Sequence, residues 1–109
     1  MTMPKQLVLQ FRVEGHGTTA DLDRLIEIEE KLDGALQRNR TGYVDGHDIG
    51  SGEMNLFLIV ESWKHGIWFM EQYLANVPWA KDAVLAKDNR DGSFEVIWPK
   101  NFNGAFEVK

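Results

Sequence analysis

GYVDGHDIGSGEMNLFLIV, residues 42–60, is the stretch that decides the fold, because two strand-like runs flank a glycine-rich loop. Gly50-Ser51-Gly52-Glu53 predicts a hairpin loop, since glycine reaches the positive φ values that tight turns require. Residues 54–60 are almost unbroken apolar, which is typical of a strand covered on both faces. In the first strand, alternate side chains point to opposite faces. One face is expected to carry Tyr43, Asp45, His47 and Ile49, and the other Val44, Gly46 and Asp48.

The register of this hairpin follows if Ser51 and Gly52 form the centre of the turn. The expected pairs are Asp48 with Asn55, His47 with Leu56, Gly46 with Phe57, and Asp45 with Leu58. Asp45 and His47 then point the same way, with Cα atoms roughly 6.5 to 7 Å apart. A carboxylate there would orient the imidazole and raise its basicity, so Asp45 and His47 are the candidate catalytic pair. The alternative is a polar edge strand on which Asp45 discourages aggregation.

The segments around this hairpin complete an α+β pattern. Alternation predicts a strand over residues 6–14, and spacings of three and four predict a helix that ends near Asn39 and is capped by Thr18, Thr19 or Asp21. A second helix is predicted over residues 63–77, capped by Ser62 and stopped by Pro78. Residues 83–86 and 93–98 flank a second hairpin loop, 89–92.

The predicted order is therefore β-α-β-β-α-β with one extra C-terminal strand, in a single domain over residues 1–109. This order is typical of the ferredoxin-like sandwich, an antiparallel sheet with two helices on one face.

Composition narrows the class of function. The 109 residues contain no cysteine, which excludes a disulfide framework, a thiolate metal site and a cysteine nucleophile. The formal net charge of −5 and the scattered basic residues argue against nucleic-acid binding. No apolar run is long enough for a signal peptide or a membrane span, so a soluble, cytoplasmic protein without membrane association is expected.

A common rim is expected from the directions of the strands. If strands one and two are parallel neighbours of strand three, the loop carrying His16 and the hairpin after His47 emerge at one sheet edge, on the order of 10 Å apart. The connection 78–82 emerges there too, whereas His65 belongs at the opposite end. The predicted ligand-binding residues at this rim are His16, Asp48, Glu53, Trp79 and Lys81.

The same rim contains residues that two other kinds of site would use. A metal site formed by His16, His47, Asp48 and Glu53 lacks HxH or HExxH spacing, so no metal is predicted, and no cofactor. An anion cradle over residues 46–52 lacks both the GxGxxG register and a helix directly after it.

Apolar side chains exceed what one small core needs. On the second helix Trp68 and Phe69 widen the apolar surface, and on strand three Phe57 and Ile59 point away from Leu56 and its neighbours. In a sheet with helices on one face, the other set of side chains would meet water unless something covers it. Either the C-terminal tail or a second subunit does so, and a homodimer is favoured.

Two parts of the sequence resemble other proteins. The block VDGHDIGSGEMN, residues 44–55, together with FEVIWP at 94–99, resembles a set of small uncharacterised bacterial proteins, which implies no activity. Glu61-Ser62-Trp63 is similar to the Glu-x-Trp that precedes the second helix in the dimeric α/β-barrel superfamily, which includes antibiotic-type and haem-degrading monooxygenases. Those enzymes commonly carry a histidine well inside that helix, where this chain has Phe69, Met70 and Tyr73. The resemblance therefore supports the predicted fold and a dimeric assembly more than it supports any particular reaction.

Three functional hypotheses follow. The first is a binding or regulatory module for a small ligand or a protein partner at the rim, and not an enzyme. The second is a monooxygenase-like enzyme of the dimeric-barrel kind that uses the Asp45/His47 pair. The third is an acidic protein that neutralises a basic partner such as a toxin, through acidic residues of the first helix, namely Glu27, Glu29, Glu30 and Asp33.

Overall fold

The computed structural model describes residues 4–108. Its elements are β1 (Lys5–Arg12), α1 (Thr19–Arg38), β2 (Gly42–Gly50), β3 (Glu53–Val60), α2 (Trp63–Ala75), a 3-10 helix (Pro78–Asp82), β4 (Ala83–Asp88) and β5 (Phe94–Trp98). The chain is therefore α+β, with every predicted helix and strand present. The 3-10 helix lies in the connection for which no element was predicted.

The five strands form one antiparallel sheet in the order β2-β3-β1-β4-β5. Strands β1 and β2 each pair antiparallel with β3, so they run parallel to each other on its two sides. This is the strand direction that the sequence predicted. It brings the end of β1 and the end of β2 to the same edge of the sheet.

Both helices pack on one face of the sheet, here called the helix face. Leu25 and Leu32 of α1 and Met70 of α2 join one buried cluster with alternate residues of β1 and β3. The strand residues of that cluster include Leu7, Leu9, Phe11, Met54, Leu56, Leu58 and Val60. The intervening strand residues point to the opposite face, here called the open face.

The ends of the helices and turns are encoded locally. Thr18 caps α1 by accepting a hydrogen bond from the Asp21 amide at 3.1 Å, while the Asp21 carboxylate accepts one from the Thr18 amide at 2.9 Å. Ser62 caps α2 through the His65 amide. In the β2–β3 turn Ser51 and Gly52 have φ of 52° and 83°, so the turn centre is the predicted one. Short polar side chains satisfy the free N–H groups of a helix start, which is why these positions are readable from sequence.

The predicted register is correct at three positions and wrong at the fourth. Asp48, His47 and Gly46 face Asn55, Leu56 and Phe57 as expected, but Val44 and not Asp45 faces Leu58. Asp45 is the extra residue of a β-bulge, which shifts the preceding residues to the other face. Tyr43 consequently lies opposite Ile59 on the open face, and the prediction that it shares a face with His47 is wrong.

The C-terminal segment, residues 99–108, crosses part of the open face. The Phe106 ring packs edge-on against Phe94 of β5 at 5.2 Å, and Gln10 of β1 donates a hydrogen bond to the Glu107 carbonyl. Phe57 of β3 is only half-buried, and Tyr43 of β2 keeps 46% of its surface exposed. The tail thus reaches β1 and β5, while the β2–β3 side of the open face is left partly uncovered.

Candidate ligand groove at the sheet edge

Backbone hydrogen bonds join the loop after β1 to the β2–β3 hairpin. The Gly52 amide donates to the Gly15 carbonyl at 2.6 Å, and the Val13 amide donates to the Gly52 carbonyl at 3.0 Å. A Cβ atom placed on Gly50 would lie 3.8 Å from Nδ1 of His16. The loop that carries His16 and the hairpin therefore meet at one edge of the sheet.

The 3-10 helix reaches the same edge. Ala83, directly after it, pairs with Phe11 at the end of β1. The Trp79 ring lies 5.5 Å from the Phe11 ring, and the Trp98 indole N–H donates to the Ala80 carbonyl at 3.2 Å. His65 lies at the other end, where its Nε2 is 3.1 Å from the Thr41 hydroxyl, immediately before β2. The three segments expected to form the rim do share it.

Two cavities adjoin each other at this edge, between the sheet and the C-terminal segment. The first lobe has a volume of about 400 Å³ and the second about 240 Å³. Gln10, Arg12 and Ala105 line both lobes, so the lobes are neighbours, and together they are here called the ligand groove. The first lobe extends towards β4, and the second towards the start of β3.

The first lobe combines an apolar wall with positive charge. Its apolar surface includes Phe11 and Phe102. Its charged lining consists of Arg12, Arg24, Lys81 and Asp82. Arg24 lies 3.9 Å from the Asp82 carboxylate, in a pair exposed to solvent, where such pairs contribute little. Neither Arg12 nor Lys81 forms an ion pair with another residue in the described part of the chain. The lobe therefore concentrates cations in a protein whose net charge is −5.

The second lobe is built on a buried polar chain. The Gln10 amide donates to Asn55 Oδ1 at 3.0 Å, and Asn55 Nδ2 donates to Glu53 Oε1 at 3.2 Å. Asn55 is fully buried and Glu53 keeps 6% of its surface exposed. Because each amide donates to the next group, these hydrogen bonds run in one direction, from Gln10 to the Glu53 carboxylate. Buried polar groups of this kind are stable only when they are hydrogen-bonded.

The residues predicted for the rim divide between the groove and its surroundings. Glu53 lines the second lobe and Lys81 the first. Trp79 packs between the rings of Phe11 and Tyr73, on the helix side of the edge. His16 lies beside Gly50. Asp48 is exposed on the open face, opposite Asn55.

Sequence reasoning missed three residues that line or support the groove. Alternation places Gln10 and Arg12 on the outward-facing side of β1, and Asn55 lies within an apolar run. The available signal was the single amide inside residues 54–60, since a polar residue in a covered strand requires a partner. Its partner Gln10 is 45 residues away in sequence, and no local pattern joins the two.

The candidate catalytic pair does not form. His47 Nδ1 lies 2.9 and 3.2 Å from the two carboxylate oxygens of Glu29 on α1, so Glu29 and not Asp45 is its partner. Asp45 is exposed at the bulge, and its carboxylate has no hydrogen bond or ion pair within residues 4–108. The geometry that was to orient the imidazole for acid–base chemistry is therefore absent from the described residues.

Most of the acidic residues on α1 have intramolecular partners. Lys31 pairs with Glu27 at 2.9 Å, and His47 pairs with Glu29. The Asp33 carboxylate accepts a hydrogen bond from the Val44 amide at 2.9 Å. These contacts tie α1 to itself and to β2, and they leave less free negative charge for a basic partner than the composition suggests.

Other kinds of site find no support in the described chain. Within residues 4–108, no three His, Cys, Asp or Glu side chains are grouped so that they could hold a metal ion. None of the helices in that range is both long and apolar enough to traverse a bilayer. Comparisons with protein-family models, with curated proteins and with solved structures find no match to this chain.

Proposed function

We propose that this protein is a binding module for a small organic anion, which it holds in the ligand groove. The observation that carries the proposal is the first lobe, where Arg12, Arg24 and Lys81 face one cavity and only Asp82 opposes them. A cluster of three cations opposed by a single carboxylate is a site of attraction for an anion, even in an acidic protein.

The chemistry of the lobe matches a small molecule. Guanidinium groups bind carboxylate and phosphate oxygens through paired N–H donors, and a lysine ammonium adds a mobile point charge. The partly exposed Pro99 and Phe102 offer apolar surface to a carbon skeleton. A volume of about 400 Å³ lies in the range that small-molecule sites occupy. These features favour a compact anion over a polymer such as nucleic acid.

Calorimetric titration with a panel of small carboxylates and phosphate esters tests the proposal. Lys81→Gln and Arg12→Gln should each weaken binding about tenfold, because a hydrogen bond to a charged group is worth about 1.5–3 kcal/mol. Lys64→Gln is the matched control, since it removes the same charge from an exposed position on α2. Failure of every anion to bind, or an equal loss in Lys64→Gln, would contradict the proposal.

The finer fold class and the assembly belong to the same proposal. The strand order is compatible with a ferredoxin-like sandwich extended by β5, and the similarity to the dimeric α/β-barrel superfamily supports pairing of two such sheets. A homodimer would cover the exposed Tyr43 and the half-buried Phe57 and Ile59 on the open face. A cytoplasmic location and the absence of nucleic-acid binding stay predictions.

A further inference from the structure

The first lobe gathers its charged residues around one position. Asp82 is one residue before β4 begins, and Arg12 is one residue beyond the last pair of β1 with β4, so the two residues are neighbours. The Arg24 guanidinium of α1 lies 3.9 Å from the Asp82 carboxylate, and Lys81 directly precedes Asp82 in the chain. Cations from β1, from α1 and from the 3-10 helix therefore surround a single carboxylate.

That carboxylate neutralises the cations only in part. The lobe is lined by three positively charged side chains and one negatively charged one, which leaves a surplus of two positive charges. Glu53, opposite Arg12 in the β1–β3 pair, lines the second lobe and not the first, and its carboxylate accepts the Asn55 amide. Lys100, after the Pro99 that lines the lobe, is 3.7 Å from Glu71. A ligand with two negative charges would match the surplus, whereas a monocarboxylate would leave one positive charge unmatched.

A phosphate monoester matches this arrangement better than two separate carboxylates do. Its terminal group carries up to two negative charges on three acceptor oxygens around one atom, so that three donors can approach it from different sides. A carboxylate has one charge on two oxygens, and a dicarboxylate divides its charges between two positions. Arg12 and Arg24 can each supply paired N–H donors, and Lys81 a point charge.

We infer that the ligand of the first lobe is a phosphate monoester of a small organic molecule, bound as its dianion. The phosphate binds Arg12, Arg24 and Lys81, while the organic group contacts the apolar surface beside them. Asp82 competes with the phosphate for Arg24 and so limits the affinity. This inference rests on the proposed function and adds the charge and the chemical class of the ligand.

Calorimetric titration with phenyl phosphate and three related anions tests the inference. At pH 8 phenyl phosphate should bind about tenfold more tightly than methyl phenyl phosphate, a diester that carries only one negative charge. Terephthalate has two charges on opposite sides of the same ring, and inorganic phosphate lacks the ring. Both should bind more weakly than phenyl phosphate.

The dependence on pH separates the charge of the ligand from its size. A phosphate monoester loses its second proton at about pH 6, so the affinity for phenyl phosphate should rise about threefold from pH 5.5 to pH 8. The affinity for the diester should stay constant. Among the described residues that line the lobe there is no histidine, the side chain whose charge ordinarily changes in this range, and β4 and the C-terminal segment contribute no charged side chain to it. An equal rise with the diester would mean that the protein titrates and not the ligand, and would overturn the inference.

Two substitutions change the charge of the lobe in opposite directions. Lys81→Gln should reduce the preference for phenyl phosphate over methyl phenyl phosphate, and Asp82→Asn should raise the affinity for phenyl phosphate about threefold. Glu61→Gln is the matched control, because it removes a carboxylate from an exposed position beside the opposite end of β3 and should change neither quantity. If Asp82→Asn binds phenyl phosphate no more tightly than Glu61→Gln does, the inferred competition is wrong and the inference fails.

The outcomes separate the inference from the proposed function. If the monoester and the diester bind equally, or if terephthalate or inorganic phosphate binds as tightly as phenyl phosphate, the monoester inference is overturned and the anion site stands. If none of these anions binds, and no small carboxylate does, the anion site itself fails.

Discussion

The effect on stability of adding one methyl group at Gly66 depends on the side chains packed around it. A Cβ atom at this buried position of α2 would lie 2.7 Å from Cβ and Cγ1 of Val60 on β3. Overpacking of that kind costs about 1–3 kcal/mol, which exceeds the gain of about 1 kcal/mol that alanine brings to a helix. We expect Gly66→Ala to lower the free energy of unfolding by about 1 kcal/mol or more, measured by urea denaturation.

Gly34 on α1 is the matched control for this substitution. Its Cβ atom would meet only the end of the Arg38 side chain, which is flexible and can move away. Gly34→Ala should therefore stabilise the protein by about 0.5–1 kcal/mol. A stabilising Gly66→Ala would show that α2 shifts away from β3 without cost.

The partly buried phenol of Tyr73 makes the stability of the protein depend on pH. Burial raises the pKa of its phenol above the ordinary value of 10.0, against the smaller opposing effects of Lys31 and Arg38. Because the pKa is higher in the folded protein, the unfolded chain loses the phenol proton at a lower pH. The contribution of Tyr73 to stability is therefore fully present below the unfolded pKa and is lost as pH rises through the folded pKa. Thermal melts between pH 8 and pH 11 should show a shallower alkaline decline in Tyr73→Phe. An alkaline decline in Tyr73→Phe as steep as that of the unmodified protein would refute the assignment.

At the scale of elements, α1 holds β2 through side chains as well as through the core. The Asp33 carboxylate accepts the hydrogen bond of the Val44 amide at 2.9 Å, directly before the bulge at Asp45. Asp33→Ala leaves a partly buried N–H without its acceptor, a loss of about 1–3 kcal/mol. Urea denaturation should show that loss.

Asp23→Ala, at an exposed position of the same helix, should change stability by less than about 0.5 kcal/mol. If both variants unfold at the same urea concentration, the contact between Asp33 and β2 contributes nothing to stability.

At the scale of the whole molecule, the open face is the surface at which we propose that two subunits pair. The C-terminal segment reaches β1 and β5, and the exposed Tyr43 lies on the other side of the face. We expect sedimentation equilibrium to show a dimer that Tyr43→Glu converts to a monomer, because a buried charge without a partner is costly. Trp68→Glu is the control, since Trp68 is 55% exposed on α2, which packs on the helix face. A protein that stays monomeric at every concentration, or one that dissociates only in Trp68→Glu, would exclude this interface.

The sequence by itself determined the elements, their order and the common edge. Thr18 and Ser62 cap their helices, Ser51 and Gly52 turn the hairpin, and strand alternation separates the two faces. These features depend on consecutive residues and on the hydrogen bonds that a local backbone must satisfy. For that reason they could be predicted without knowledge of the rest of the chain.

Only the tertiary structure decided which side chains bind to one another. Nothing in the local pattern signals the bulge at Asp45, which occurs where Asp33 of another element takes the Val44 amide. The same holds for Glu29 as the partner of His47, and for the chain from Gln10 to Glu53. A side chain's partner depends on which elements meet in space, and contacts 18 or 45 residues apart in sequence are set by packing and not by periodicity.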